Sequence, residues 1–112
     1  MKKIRLAATP AEKLNAVVRR KVARGDQLEL IEYTYEKGAR FALHAHPAEQ
    51  LTIVLKGGLV FVQPHAEEIT LAEGEALFVP ANTPHGAFVP EGIEKTVTYN
   101  VFTPVRSDLP TG

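Results

Sequence analysis

The stretch GARFALHAHPAEQLTIVLKG, residues 38–57, decides how this chain is read. It begins and ends on glycine, and it holds two histidines, a proline and a strongly apolar run, Gln50 to Leu55. In an extended strand alternate side chains share a face, so His44 and His46 point the same way. Pro47 breaks the strand, and the next one starts near Gln50. Parity then places Gln50 and Thr52 on one face and Glu49 and Leu51 on the other, unless a bulge near Pro47 shifts the register.

A second stretch, GEALFVPANTPH at residues 74–85, has the same plan. A short apolar strand runs into a Pro80, Asn82, Pro84 corner, and the chain re-enters the sheet at His85. A histidine held between Pro84 and Gly86 has little freedom of its own. It is suited to completing a site begun by His44 and His46.

Outward from these two stretches the pattern is one of short extended runs separated by turn residues, which predicts an all-β domain. Strands are expected at Gln27 to Tyr35, Arg40 to His46, Gln50 to Leu55, Leu59 to Gln63, Ile69 to Leu71, Ala76 to Val79, His85 to Val89 and Lys95 to Phe102. Gly57-Gly58 reads as a tight hairpin turn, because glycine tolerates positive φ. The prolines at 47, 64, 80, 84, 90 and 104 fall between runs, where a missing N–H removes no ladder bond. One short helix is expected at Pro10 to Asn15, with Thr9 as N-cap and Pro10 in the first turn. No repeat, linker or low-complexity tract divides the chain, so residues 1–112 read as a single domain with one core.

Composition excludes several classes. Thirteen basic and thirteen acidic residues give zero formal net charge, so nothing draws the chain to nucleic acid or to an anionic membrane. The run Arg19-Arg20-Lys21 with Arg24 has no interleaved aromatics and reads as a wet strand face. There is no apolar run of about 18 residues to span a bilayer, and the start lacks the apolar core of a signal peptide. A cytoplasmic location is expected. With no cysteine, disulfides, thiolate ligands and Cys nucleophiles are ruled out. A metal would have to be bound by imidazole, carboxylate or amide groups.

Together the two stretches resemble the motifs of the cupin superfamily. The first motif, Gly-x5-His-x-His-x3–4-Glu-x6-Gly, is matched at Gly38, His44, His46 and Gly57, with Gln50 where glutamate usually stands. The second, Gly-x5-Pro-x-Gly-x2-His-x3-Asn, is matched at Gly74, Pro80 and His85, with Asn82 for the glycine and Val89 for the final asparagine. The resemblance implies a cupin-type β-barrel (a double-stranded β-helix, or jelly roll). It also implies one divalent metal ion held by His44, His46, Gln50 and His85. Such ligands accept manganese, iron, nickel, zinc or copper.

Glutamine coordinates only through its carbonyl oxygen and brings no charge. A divalent ion held by three imidazoles and an amide therefore keeps its full +2, which favours Lewis-acid work over stabilising an oxidised metal. Glu49, on the opposite face, is expected to support the site from outside. His65, in a turn after Pro64, reads as solvated, and Arg40 either lines the mouth of the barrel or is solvated.

Within the superfamily the chain looks most like the small single-barrel cupins of pectin degradation, which convert unsaturated uronates to linear keto sugars with a His, His, Gln, His metal site. Their last strand carries Asp-x-Phe-Ser-Pro-x-Arg, where the resemblance assigns proton transfer to Asp and substrate handling to Phe and Arg. Phe102 and Arg106 match; Asn100 stands in place of Asp, and Thr52 in place of a second glutamine. An amide is no general base, so the same chemistry would need a hydroxide on the cation or another residue such as Tyr33 or Tyr35. Arg106 is suited to a carboxylate or phosphate, with Asp108 as its competing partner.

The expected function is a metal-dependent isomerase or lyase acting on a small carboxylated sugar or keto acid. The alternatives are a quercetinase-like metal-dependent dioxygenase and a non-catalytic cupin that binds a small ligand. A homodimer is expected from the family and from the need to cover sheet edges, with Leu6 to Ala8 and Val17-Val18 as candidate cover.

Overall fold

The computed structural model describes residues 1–106 and consists of two antiparallel sheets with a shared core. In chain order the strands are β1 (Glu12–Asn15), β2 (Val18–Arg24), β3 (Glu29–Glu36), β4 (Arg40–His44), β5 (Glu49–Lys56), β6 (Gly58–Val62), β7 (Ile69–Ala72), β8 (Ala76–Val79), β9 (His85–Phe88) and β10 (Lys95–Thr103). A six-stranded sheet runs β1-β2-β3-β10-β5-β8, and a four-stranded sheet runs β4-β9-β6-β7. This is the expected jelly roll. The barrel is open along its seams, because no ladder among the described residues joins one sheet to the other. The described residues include no helix long and apolar enough to cross a membrane.

The core lies between the sheets. Val18, Ile31 and Val54 meet Leu59, Phe61, Leu71 and Ala87 from the facing strands, all buried. Tyr33 and Tyr35 stack at 5.5 Å, and Phe41 packs edge-on against both. Strict alternation along β3 turns Glu29, Ile31, Tyr33 and Tyr35 inward, and along β10 it turns Thr96, Thr98, Asn100 and Phe102 inward. On β5 it turns Gln50, Thr52 and Val54 inward. Polar residues therefore occupy much of the inner face of the larger sheet. Leu51 and Ile53, on the other parity, face out and are half-buried.

Three local expectations are corrected. The Pro10 to Asn15 helix is absent: Glu12–Asn15 is a strand paired with β2. So short a helix would form very few internal hydrogen bonds, whereas the strand gains a ladder and a cross-strand pair between directly opposed Glu12 and Arg20, with Nε–Oε1 at 3.3 Å. Asn15 Oδ1 accepts the Val17 N–H at 2.9 Å and turns the chain into β2. The only helical turn among the described residues is a 3-10 turn at Leu6–Ala8.

Second, Arg20 is not on a wet face. It shares parity with core residue Val18 and is 1% exposed. Val18 itself is fully buried, so it cannot serve as cover for another copy's edge.

Third, Gly57-Gly58 is not a hairpin turn. β5 belongs to the large sheet and β6 to the small one, so this is where the chain crosses between them. Thr96 clamps the crossing: its Oγ1 donates to Gly58 O at 2.6 Å and accepts Gly58 N–H at 3.2 Å. Gly57 has φ +82°, and a Cβ there would collide with Lys95 O. Gly57→Ala is expected to lower the unfolding free energy by about 2 kcal/mol or more, measured by urea denaturation; an unchanged midpoint would refute the crossing geometry.

Candidate metal centre

His44 ends β4 and His85 begins β9, and the two lie directly opposite each other in the ladder. They meet because β4 holds one extra residue between Phe41 and His44, a bulge facing the Gly86 end of β9. A Cβ on Gly86 would lie 2.8 Å from Phe41 O, so the bulge closes only over glycine. The register shift that parity reasoning allowed for near Pro47 thus falls a few residues earlier. His46 lies past the end of β4, in the segment leading to β5. Its backbone O accepts the Asn82 N–H at 2.8 Å, which ties the first histidine stretch to the corner before His85. Asn82 has φ 59°, a left-handed conformation that asparagine tolerates better than most residues and that accounts for its standing where the motif has glycine.

The result is a cluster in which ligand atoms of His44, His46 and His85 all lie within 4.8 Å of one another. Ring centroids are 4.5 Å apart for His44 and His85, 5.1 Å for His46 and His85 and 5.6 Å for His44 and His46. His46 and His85 are buried, while His44 sits at the open rim. Phe102 packs edge-on against the His46 ring at 5.5 Å.

Each ring is oriented by a backbone carbonyl two residues away. Nδ1 of His44 meets Ala42 O at 2.9 Å, Nδ1 of His46 meets Ala48 O at 2.9 Å, and Nδ1 of His85 meets Thr83 O at 2.7 Å. A carbonyl oxygen only accepts, so each Nδ1 carries the proton and each neutral ring keeps its lone pair on Nε2. Backbone carbonyls holding Nδ1–H are the usual support for histidines that ligate metal through Nε2.

Gln50, on β5, faces the same cluster. Its Oε1 lies 3.0 Å from His46 Nε2. A neutral imidazole has one N–H, yet both neighbours of the His46 ring are acceptors, so one contact must set two lone pairs against each other. A cation between Nε2 and Oε1 removes the conflict. A proton is poorly suited to the task, because burial lowers the pKa of His46, helped by the Arg106 guanidinium and by His44. Burial likewise brings His85 down to about 4, with His44, His46 and Arg106 contributing. The donor set therefore fits a divalent metal ion, with three imidazole nitrogens and one amide oxygen.

The remaining residues singled out in the sequence divide between a cavity beside this cluster and positions away from it. Glu49 is exposed on the opposite face from Gln50. His65 is exposed in its turn, and Arg40 is exposed and rests over the Phe88 ring at 5.8 Å, away from the cluster. Asn100, Phe102 and Arg106 are buried and line a cavity of about 280 Å³ together with His44, His85 and Gln50. The Arg106 guanidinium lies 4.9 Å from the Phe102 ring centroid. Asp108 lies outside the described residues.

Sequence reasoning missed Glu29. It is fully buried; its Oε2 accepts from Arg24 Nε at 2.8 Å and its Oε1 from the Arg106 backbone N–H at 3.3 Å, which holds Arg106 at the cavity. A glutamate at an inward position of an alternating strand was the available signal.

Family comparison agrees with this geometry. The cupin domain model matches residues 31–101, a stretch running from β3 to β10 that includes every residue of the cluster. The chain belongs to the cupin family. Among solved structures it resembles an RmlC-like cupin from Shewanella frigidimarina (25% identity, TM-score 0.81, covering 91% of this chain and 89% of that one). It also resembles KdgF from Halomonas sp. (24%, 0.80, 89% and 90%) and the polyketide cyclase RemF from Streptomyces resistomycificus (24%, 0.78, 96% and 82%). A search of curated protein sequences finds no match.

The lowered pKa of His85 has a consequence for stability in the metal-free protein. Its folded value of about 4 lies below the ordinary 6.5, so between these pH values the unfolded chain binds the extra proton. The stability contribution is complete above pH 6.5 and is lost as pH falls toward 4. Urea midpoints of the metal-free protein are expected to drop across that window, and His85→Asn to flatten the drop; an equal slope in the variant would refute the assignment.

Proposed function

We propose that this cupin is a metal-dependent isomerase or lyase for a small carboxylated sugar or related keto acid, working in the cytoplasm as a homodimer. His44, His46, His85 and Gln50 hold the cation, and Arg106 holds the substrate carboxylate.

The observation that carries this reading is the charge of the cavity. Its described lining includes Arg106, His44, His85 and Gln50, and no aspartate or glutamate. Glu29, the buried carboxylate behind Arg106, has its charge met by Arg24. A divalent ion in a neutral donor set would thus share with a guanidinium a cavity whose described lining carries no negative side chain, which favours an anionic guest. A carboxylated substrate supplies it, with a planar group that arginine can grip through paired N–H donors.

A divalent ion at the cluster would supply Lewis acidity toward a carbonyl or hydroxyl oxygen. The chain's own residues bind, orient and exclude water. Phe102 packs against both the His46 ring and the Arg106 guanidinium, so it forms the wall between cation site and carboxylate site. Asn100, with no titratable group, holds its place through hydrogen bonds and moves no proton. Tyr35 lines the cavity, and burial raises its pKa far above the ordinary 10, so the phenol stays protonated and serves as a donor. The neutral donor set also favours this chemistry over a dioxygenase, since a cation left at +2 is a poor centre for reaching higher oxidation states.

Incubating the metal-loaded protein with an unsaturated uronate is expected to speed loss of its conjugated absorbance. Arg106→Gln is expected to raise KM about 10- to 100-fold, the loss of one charge-assisted interaction. No acceleration over buffer by protein with bound metal would remove the proposal. Tight binding of the uronate without turnover would favour the non-catalytic reading.

The homodimer is supported by the outer face of the large sheet, where Phe78 is 69% exposed at edge strand β8 and stands opposite Leu51. Sedimentation is expected to give twice the 12.3 kDa chain mass, and Phe78→Glu to return it to a single chain. A single-chain mass for the parent protein would refute it.

A further inference from the structure

Resting on the cation site proposed above, we infer that Thr52 and Asn100 are positioning residues that aim the carbonyl oxygen of Gln50 at the cation.

The direction of the hydrogen bonds is set at one end by backbone. Asn100 stands opposite Ile31 of β3 on one side and opposite Thr52 of β5 on the other. Its Nδ2 lies 3.4 Å from Ile31 O and 2.8 Å from Thr98 Oγ1. Ile31 O can only accept, so the amide nitrogen must face that side and Oδ1 must face Thr52. Asn100 Oδ1 lies 2.7 Å from Thr52 Oγ1, and it too only accepts, so the single Thr52 hydroxyl proton is committed to it. The lone pairs of Thr52 Oγ1 are left for Gln50 Nε2 at 2.8 Å. With its nitrogen held there, Gln50 has only its oxygen to turn toward His46 Nε2.

Every link runs the same way, from Gln50 to Thr52 to Asn100 to Thr98. Gln50, Thr52, Thr98 and Asn100 are 6%, 0%, 0% and 2% exposed, so water does not compete for these donors. Turning the Gln50 amide over would force the Thr52 hydroxyl to donate to Gln50 and leave Asn100 Oδ1 without a donor. Thr52 and Asn100, two of the positions where this chain departs from the uronate-converting pattern, are thus the ones that orient its uncharged ligand. A carboxylate ligand has an oxygen on either side and needs no such orientation. A carboxamide does.

The test uses cobalt(II) as the probe. In competition with a chromophoric chelator, Thr52→Val is expected to bind cobalt about 10- to 100-fold more weakly than the parent, the usual cost of losing a group that orients a ligand. Its d–d absorption bands should shift, and Thr52→Ser should restore both. Where Thr52→Val does not fold, Thr52→Ala removes the same hydroxyl without crowding the strand. Equal affinity and an unchanged cobalt spectrum in the folded variant would overturn the inference. The metal-free protein gives a separate readout: the Gln50 side-chain amide protons should be slow to exchange in the parent and fast in Thr52→Val. Failure of the parent to bind cobalt would count against the cation site, whereas Gln50 protons unaffected by the substitution would overturn the positioning role whether or not cobalt binds.

Discussion

The structure turns on a repulsion between lone pairs. Three backbone carbonyls take the Nδ1–H of His44, His46 and His85, which leaves three Nε2 lone pairs turned to one region of the wall. The hydrogen-bonded row on β5 and β10 brings the Gln50 oxygen to the same region. Such an arrangement of acceptors in a buried setting is unfavourable by itself, and it becomes favourable around a cation. The local bonds that create it are all made between groups close in sequence or opposite in a ladder, so the fold can form the site before anything occupies it.

What surrounds the cluster is matched to an electron-poor centre. Burial and the Arg106 guanidinium keep His46 and His85 neutral, the state in which imidazole ligates. Because Gln50 adds no charge, a cation at the cluster would set the cavity's electrostatics together with Arg106, and Glu29, turned to Arg24 and the Arg106 backbone, holds Arg106 from behind. Packing and charge are thus handled by different layers. The aromatic group of Tyr33, Tyr35 and Phe41 fills the space between the sheets, while the polar row on β5 and β10 carries orientation.

Having polar side chains inside the larger sheet follows from the same requirement. Apolar residues on β5 such as Leu51 and Ile53 face out because register places Gln50 and Thr52 inward, and a slip of one residue would remove Gln50 from the site. The inward polar groups are tolerable because each finds a partner: Thr96 spans the Gly58 crossing, Thr98 and Asn100 bond each other, and Thr52 bridges β5 and β10.

The all-β class, eight of the ten strands among the described residues to within about two residues at either end, and the membership of the histidine cluster were legible in the sequence. Turn residues and alternation act over a few positions, and the spacing of His44, His46 and His85 matches a recurrent pattern. β1 was not legible, because Glu12–Asn15 is extended only through its pairing with Arg19 and Arg20. The burial of Arg20 and Glu29 was likewise decided by partners on other strands. Gly57 showed a turn but not its destination, since a glycine at positive φ serves a hairpin and a crossing between sheets alike, and the two differ in what the next strand pairs with. Asn100 and Thr52 read as departures from a pattern. Only the tertiary structure, by setting β10 between β3 and β5, shows one hydrogen-bond direction running from Gln50 toward the backbone of β3, because that direction depends on an Ile31 carbonyl far away along the chain.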